Sequence, residues 1–507
     1  MTPIAMASVS SPRRLSGYFP ALSRAVVLLL LTGVSLIAQE ESATPPAPAP
    51  SGTEASAASE PSDPKAVPIV WEFSMLLTGS GPPMRDAFMV VENGIIKALG
   101  PRAEIEIPEG AIRRVAHNGV VTPGFIHPAS VHWLSGGRLN FGGTGNSADR
   151  TTSATLKPDK ALLKRFVQAG FTTVAAVPSG GISGGSGSLL SLVEPGEENP
   201  DTKSLLAKER ALLQMAFQPG TQSKAAFQKA LTDARTYIKE RDAFAAAAGK
   251  KKPEAEKKAD EKPSESAGAK APTEPAPKQE EPKKEEAKKE EPKKEEPKKE
   301  EGQKEPKKDP KLMPIVDLLE GNLPGVLFLA DAASFLHFQA LFEAESSFRP
   351  AILMVPSGFR SPRDAWRVVE EIKALEVPVV LNVGIDSVPR TTTRRVTQRI
   401  LMDAGITVAL IPSDVSVGNN VTAPQDADAF HMELLDLVRH GVSARDVLRS
   451  LTEVPAQILG ISETHGSLSV GKRADFVLFS GEPFAPTTRL LKVASGGEII
   501  YTAEELP

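Results

Sequence analysis

Short, strongly apolar runs recur along this chain, and each leads into helical or loop sequence. They are Phe171–Val177, Gly325–Leu329, Ala351–Val355, Val377–Val383 and Ile406–Ile411. Near-continuous apolar runs of this length read as strands covered on both faces. Phe171–Val177 is entered from a helical stretch, Ala161–Ala169. A repeated strand-then-helix rhythm implies parallel strands joined by right-handed crossovers, so an α/β core is predicted.

The flanks have a different texture. Residues 87–91 alternate, Gly94 breaks the run, and Ile95–Gly100 resumes it, which predicts a hairpin; short strands continue to Val121. Strand texture returns in Gly466–Leu468, Ala474–Phe479 and Glu498–Tyr501. Two β segments flanking one α/β core predict a small β domain built from both ends of the chain. The rhythm is interrupted between about residues 243 and 311, where Pro282-Lys283-Lys284-Glu285-Glu286 begins a series of five-residue repeats. Proline at that frequency removes helix donors, and the mixed charges largely cancel. A disordered insertion in a surface loop is expected, which a host fold tolerates because loop-closure entropy grows slowly with length.

The N-terminus reads as an export signal. Arg13, Arg14 and Arg24 precede the apolar run Ala25–Ala38, which is short for a membrane span. An uncleaved anchor is the alternative. Residues 39–67 are rich in Ala, Pro, Ser and Glu and predict a disordered tether. With 507 residues, 40% of them hydrophobic, the chain can bury a large core; its net charge of -4 gives no field that would draw nucleic acid or an acidic membrane. There is no cysteine, which excludes disulfides, thiolate metal sites and a cysteine nucleophile.

Three stretches together resemble the amidohydrolase superfamily, in particular its exported, imidazolonepropionase-like members. Val121-Thr122-Pro123-Gly124-Phe125-Ile126 is similar to the segment that opens the family's barrel. Gly466-Ser467-Leu468-Ser469-Val470-Gly471-Lys472-Arg473-Ala474-Asp475-Phe476-Val477 resembles its re-entry into the small β domain, and Pro455–Gly460 the helix just before. The resemblance implies a distorted (β/α)8 TIM-like barrel plus a small β-sandwich formed by the N- and C-terminal segments. The implied order is signal peptide 1–38, linker 39–67, sandwich 68–122, barrel 123–242, insertion 243–311, barrel 312–465 and sandwich 466–507. The two barrel parts supply about 270 positions, near the roughly 250 of such barrels, whose sites lie at the C-terminal strand ends.

The resemblance also implies a metal site, and most of its positions are replaced here. The family's His-x-His pair matches Ala129 and Val131, and the position just before them, usually Asp, is His127. The fifth-strand His matches Leu329 and the sixth-strand His matches Ser357; no residue is matched to the fourth-strand bridging ligand. The eighth-strand Asp matches Asp414, the one candidate catalytic residue. Catalytic zinc needs about three protein ligands, so no metal cofactor is expected, where the family normally binds zinc or another divalent ion. Two rescues stay open: a displaced His127, His132 and Asp414 set, or Asp414 as a metal-free general base. Otherwise Asp414 caps a helix or closes a loop. His337, His431 and His440 fall in helical stretches, and His117 and His465 by the β domain. Ser179–Gly187 is a glycine-rich loop without the Gly-Lys-Ser/Thr that would mark phosphate binding; it reads as a flexible loop over the barrel mouth or a ligand-contacting one.

The functional expectation is an exported, periplasmic or extracellular protein that binds a small molecule or a partner without hydrolysing it, with no nucleic acid and no membrane association after signal removal. The alternative is a hydrolase of non-peptide, cyclic amide-type C–N bonds with an unusual site. Protein recovered from its native envelope is expected to have an intact mass lacking roughly the first 38 residues; a mass that includes Met1 would exclude cleavage.

Overall fold

A computed structural model describes residues 67–133, 144–178, 180–257, 306–342, 348–354, 364–388, 390–413 and 427–504. The expected export signal, nearly all of the expected tether and the Lys/Glu/Pro repeats lie outside these residues. Four strands open the ordered chain: β1 (Ile69–Leu76), β2 (Met84–Glu92), β3 (Ile95–Pro101) and β4 (Ile112–Pro123). Asn93 and Gly94 both take positive φ, 52° and 77°, between β2 and β3. A two-residue hairpin turn needs that conformation at both positions, and Asn-Gly supplies it at low cost.

The chain then enters the core. Its strands are β5 (Phe125–Ser130), β6 (Phe171–Ala176), β7 (Gly185–Ser191), β8 (Leu206–Ala216), β9 (Gly325–Leu329), β10 (Ala351–Met354) and β11 (Val379–Asn382). A short hairpin, β12 (Asp386–Ser387) and β13 (Arg394–Arg395), precedes the last core strand, β14 (Val408–Ile411). The helices around them are α1 (Lys160–Gln168), α2 (Thr202–Leu205), α3 (Thr221–Lys257), α4 (Met313–Leu319), α5 (Ala332–Phe342), α6 (Val369–Leu375) and α7 (Thr397–Asp403). After β14 come α8 (Ala427–Arg439), α9 (Ala444–Leu451) and α10 (Glu453–Ile458).

The eight core strands follow chain order from β5 to β14, and β14 lies beside β5, so the sheet is a nearly closed barrel. The α/β core expected from the strand–helix rhythm is thus present, in the barrel-like form that the resemblance implies. All neighbours are parallel except at β7, which runs antiparallel to both β6 and β8. That strand comes from the glycine-rich stretch, which read as a loop: no helical segment separates it from β6, so the chain turns straight back.

Two apolar layers hold the barrel. Alternate residues of one face, including Val326, Phe328, Leu353, Val380, Ala409 and Ile411, cluster inside it. The other faces, with Leu327, Leu329, Ile352, Leu381 and Leu410, pack under the helices. Helix α1 presents Leu162, Leu163, Phe166 and Val167 to this layer and starts on Asp159, whose carboxylate accepts from Leu162 N at 2.8 Å. Val454, Ala456 and Ile458 of α10 join the inner cluster, and Ile458 lies by Gly325 and Ala351 at the strand starts. Helix α10 therefore stoppers the N-terminal end of the barrel. Helix α3 continues to Lys257, past residue 243 where the sequence texture changes; the Ala243–Ala248 stretch is mostly alanine, the best helix former, and carries the helix on.

The final strands, β15 (Phe476–Phe479), β16 (Leu490–Ser495) and β17 (Glu498–Thr502), join the first four in one seven-stranded sheet ordered β17-β16-β15-β4-β1-β2-β3. The two ends of the chain thus share one sheet. Its edge strand β3 curls back onto the segment before β15: Ile96 N donates to Lys472 O and Gly471 N to Ile96 O. Trp71, Phe73 and Phe476 pack at its centre, with ring centroids 5.1–6.0 Å apart.

One buried carboxylate ties this sheet to the barrel. Asp475, 7% exposed, accepts from Arg473 at 3.1 and 3.2 Å and from Gly496 N at 2.7 Å. Its backbone oxygen accepts from Gly124 N at the β4–β5 junction. Arg473 reaches on to Ser495 on β16 and to Ser191 on the barrel strand β7, at 3.1 and 3.0 Å. Asp475→Ala leaves Arg473 and the Gly496 amide without their acceptor. Loss of one partner of a buried pair costs about 3–5 kcal/mol; since Arg473 is partly exposed, a destabilisation of about 3 kcal/mol is expected, read as a lower thermal midpoint. An unchanged midpoint would show that the pair does not hold the junction.

Candidate functional site

The C-terminal strand ends are where chemistry is expected in this architecture. At the end of β5, Ala129 and Val131 are fully buried and belong to the inner cluster with Ile126, Val177 and Phe328. They occupy the inward places expected of the family's His pair, and they present only carbon. His127 points the other way. Its ring packs against Phe166 and Phe171, 5.6 Å from each, in the helical layer, and its Nδ1 accepts from Ala129 N at 3.3 Å. A displaced metal set that includes His127 is therefore not assembled at the barrel interior.

On β9 the register differs by one from the sequence match. Leu329 packs in the outer layer, and Phe328 is the inward residue. Neither ligates metal. Ser357 and Asp414, the matched sixth- and eighth-strand positions, lie outside the described residues. Of β14 and its continuation, Ile411 is inward and Ser413 Oγ accepts from Gly384 N at 3.1 Å. Among the described residues, no group of three or more His, Asp or Glu side chains is placed to hold a metal ion. The divalent metal that the resemblance implies does not fit what stands at Ala129, Val131 and Phe328.

The fourth strand, where no residue was matched from sequence, is β8. Leu212 and Ala216 face inward, so Gln214 between them does too; it is 1% exposed. Its Oε1 accepts from Gly184 N at 2.7 Å. Asn382 at the end of β11 follows the inward Val380 in the same alternation and is also buried. Gln214, Asn382 and Ser413 can hydrogen-bond a ligand, but amides and a hydroxyl do not lower the pKa of a bound water as a metal does. Only the strand period could have singled out Gln214, because an amide in an apolar run matches no ligand pattern.

The glycine-rich stretch is not a loose loop. Ile182 N donates to Gly145 O, Ser147 N to Ser183 O, and Ser186 N to Arg150 O, at 2.8–2.9 Å. Ala216 N at the end of β8 donates to Ile182 O. The glycines permit this close backbone approach: Gly181 has φ +59°, and a Cβ there would sit 2.1 Å from Gly145 O. The segment is thereby fixed over the end of β8, beside Gln214.

Three other histidines are held by contacts away from the inner cluster. Burial lowers the His431 pKa, opposed by its 3.2 Å hydrogen bond to Ala169 O and by Asp428. His465 is lowered by burial too, against the attraction of Asp475, 3.9 Å away beside the small sheet. His440 Nδ1 bonds Asp436 O within α8's last turn. Asp364, beyond β10, is raised by burial and by the charge of Asp331, against the Ala332 amide and Arg367.

With this geometry in view, comparison with known proteins supports the family resemblance. Residues 353–503 match the model of the amidohydrolase family, a span that runs from the end of β10 through the last two barrel strands and the re-entry into the small sheet. An amidohydrolase from Thermotoga maritima MSB8 superposes with a TM-score of 0.55 at 19% identity, over 86% of this chain and all of its own. An adenosine deaminase from Xanthomonas campestris with bound zinc aligns at 13% identity and a TM-score of 0.44, over 86% of this chain and 93% of its own. Ochratoxinase from A. niger gives 14% and 0.40, over 87% and 96%. No curated protein matches the chain. The Thermotoga protein shows a shared fold; the two weaker likenesses carry no further weight.

Gly181→Ala forces a Cβ into the Gly145 carbonyl and strains a positive-φ position, at a cost of about 1–3 kcal/mol. Gly196→Ala, with nothing within 4 Å of the added methyl, serves as the control. The expected result is a lower thermal midpoint for the first and little change for the second. Equal midpoints would show that the segment is not held against residues 144–151.

Proposed function

We propose that this chain, amidohydrolase-like in its matched segment and in its fold, binds a small molecule or a partner at the C-terminal barrel mouth without hydrolysing it, and does so after export. One observation carries the reading: the inward positions at the end of β5 are Ala129 and Val131, fully buried among apolar side chains. A metal that activates water needs about three ligands, and these places offer none. What the mouth does offer is hydrogen-bonding capacity from Gln214, Asn382 and Ser413 above an apolar barrel. That combination suits a mostly apolar ligand oriented by a few polar contacts. The curled seven-stranded sheet is read as a small β-sandwich that carries the chain ends.

A second reading, a hydrolase of cyclic amide-type C–N bonds with an unusual site, is favoured by the family match over residues 353–503. In it, Asp414 acts as general base without metal. Fold alone does not establish chemistry, because one barrel hosts many functions.

Untagged full-length protein separates the two. Elemental analysis is expected to find well under one zinc, manganese, iron, cobalt or nickel per chain. Added zinc is expected to leave turnover of dipeptides, N-acyl amino acids and cyclic amides at background. One tightly held transition metal per chain, with hydrolysis lost on chelation, would overturn the binding reading. Metal-independent hydrolysis abolished by Asp414→Asn would establish the second.

A further inference from the structure

The ends of β9, β10 and β11 and the start of α7 enclose a cavity of about 20 Å3 at the rim of the barrel's C-terminal face. That is room for one water-sized sphere. Its polar wall is Asp331, Asp364, Asn382, Thr397 and Gln398. No cationic side chain lines it among the described residues. Arg367, which acts electrostatically on Asp364, is exposed and lies over the Trp366 ring at 4.6 Å.

Two of the wall residues carry buried acceptor atoms with no hydrogen-bond partner among the described residues. Gln398 is 2% exposed, and its Nε2 donates to the carbonyls of Asn382 and Gly384 at 2.6 and 3.0 Å. Only the amide nitrogen can satisfy two carbonyls, so the side chain cannot be turned round. Its Oε1 lies on the other side of the amide and has no hydrogen-bond partner among the described residues. The same holds for Thr397 Oγ1, on a residue 5% exposed. Buried polar atoms are normally partnered, and an exception calls for a water or an ion. Both carboxylates are pinned beside the cavity by the first turn of α5. Asp331 Oδ1 accepts from Ser334 N and Oγ at 2.8 and 2.7 Å, and Asp364 Oδ1 accepts from Ala332 N at 2.9 Å.

We propose that this cavity is a calcium site, in which one ion is held by the carboxylates of Asp331 and Asp364, Thr397 Oγ1 and Gln398 Oε1. The donors are all oxygen, which selects a hard cation over zinc or copper. Two carboxylates balance a divalent charge; a sodium ion would leave one negative charge uncompensated in a buried place. Magnesium keeps several waters and demands strict octahedral geometry, for which a one-water cavity has no room, whereas calcium accepts irregular oxygen cages. The ion would clamp the start of α5 and the start of α7 to the strand ends. It lies apart from Ala129 and Val131 and does not depend on the ligand-binding reading.

The test uses full-length protein freed of calcium with EGTA. Calorimetric titration with calcium chloride is expected to show one site per chain, and the thermal midpoint is expected to rise with calcium, since an ion that binds only the native state stabilises it. Magnesium at equal concentration is expected to shift the midpoint less, and sodium not at all. The double variant Asp331→Asn, Asp364→Asn is expected to lose the calcium shift. Thr397→Val, which removes one donor at constant shape, is expected to fold normally and bind calcium several-fold more weakly; it keeps the proposal testable if the double variant does not fold. The proposal is overturned by a midpoint that does not respond to millimolar calcium, by an equal response to magnesium, or by a calcium response unchanged in Thr397→Val and in the double variant.

Discussion

The carboxylate of Asp475 is where the two ends of the chain meet the barrel. It holds Arg473 and the Gly496 amide, while its backbone oxygen takes the Gly124 amide at the point where β4 gives way to β5. Through Arg473 it extends to Ser191 on the barrel and Ser495 on the small sheet. Residues more than 300 positions apart in sequence are thus joined around one buried charge. A buried charge is tolerated only when its lone pairs are met, so the segments around Asp475 have little freedom to move apart. The apolar contacts beside it depend on the same closure: Phe125 packs against both Phe171 of β6 and Phe479 of β15.

This junction gives a physical account of the motifs that carry the family resemblance. Val121–Ile126 is the passage from sheet to barrel, and Gly466–Val477 is the return. Gly124 has no room for a side chain, since a Cβ would fall 2.4 Å from Thr172 Oγ1. The motifs therefore report how the seven-stranded sheet and the barrel are joined, a matter separate from what stands at the barrel mouth. Ala129, Val131 and Phe328 are compatible with that scaffold, because inward carbon at these strand ends simply extends the inner cluster.

Five of the eight core strands, β6, β9, β10, β11 and β14, were legible in the sequence, because buried parallel strands are short apolar runs with little competing signal. Ala129 and Val131, two residues apart, share one face of the strand and both join the inner cluster. That Leu329 faces the helical layer was not legible, since an all-apolar strand gives no alternation from which to tell its faces. The glycine-rich stretch looked loose because glycine carries no pattern, yet Gly181 and Gly185 are needed where backbone from residues 145–150 approaches closely. Helix α3 outlasted the change in texture at residue 243, as the alanines there favour helix whatever follows. The cavity by Gln398 had no signal at all, since Asp331, Asp364 and Thr397 are scattered singly through unrelated segments.

From the sequence alone came the α/β rhythm, the strand texture shared by the two flanks of the core, the family resemblance and the expectation of few metal ligands. All of these depend on local periodicity or on short motifs, which a linear string preserves. Tertiary structure alone decided that β7 runs antiparallel, that His127 turns into the helical layer, that Gln214 looks into the barrel, and that two distant aspartates line one cavity with Thr397 and Gln398. Those are matters of which face a side chain takes and which distant strand it meets. Both are set by closure of the barrel around its inner core, a constraint that no stretch of sequence contains by itself.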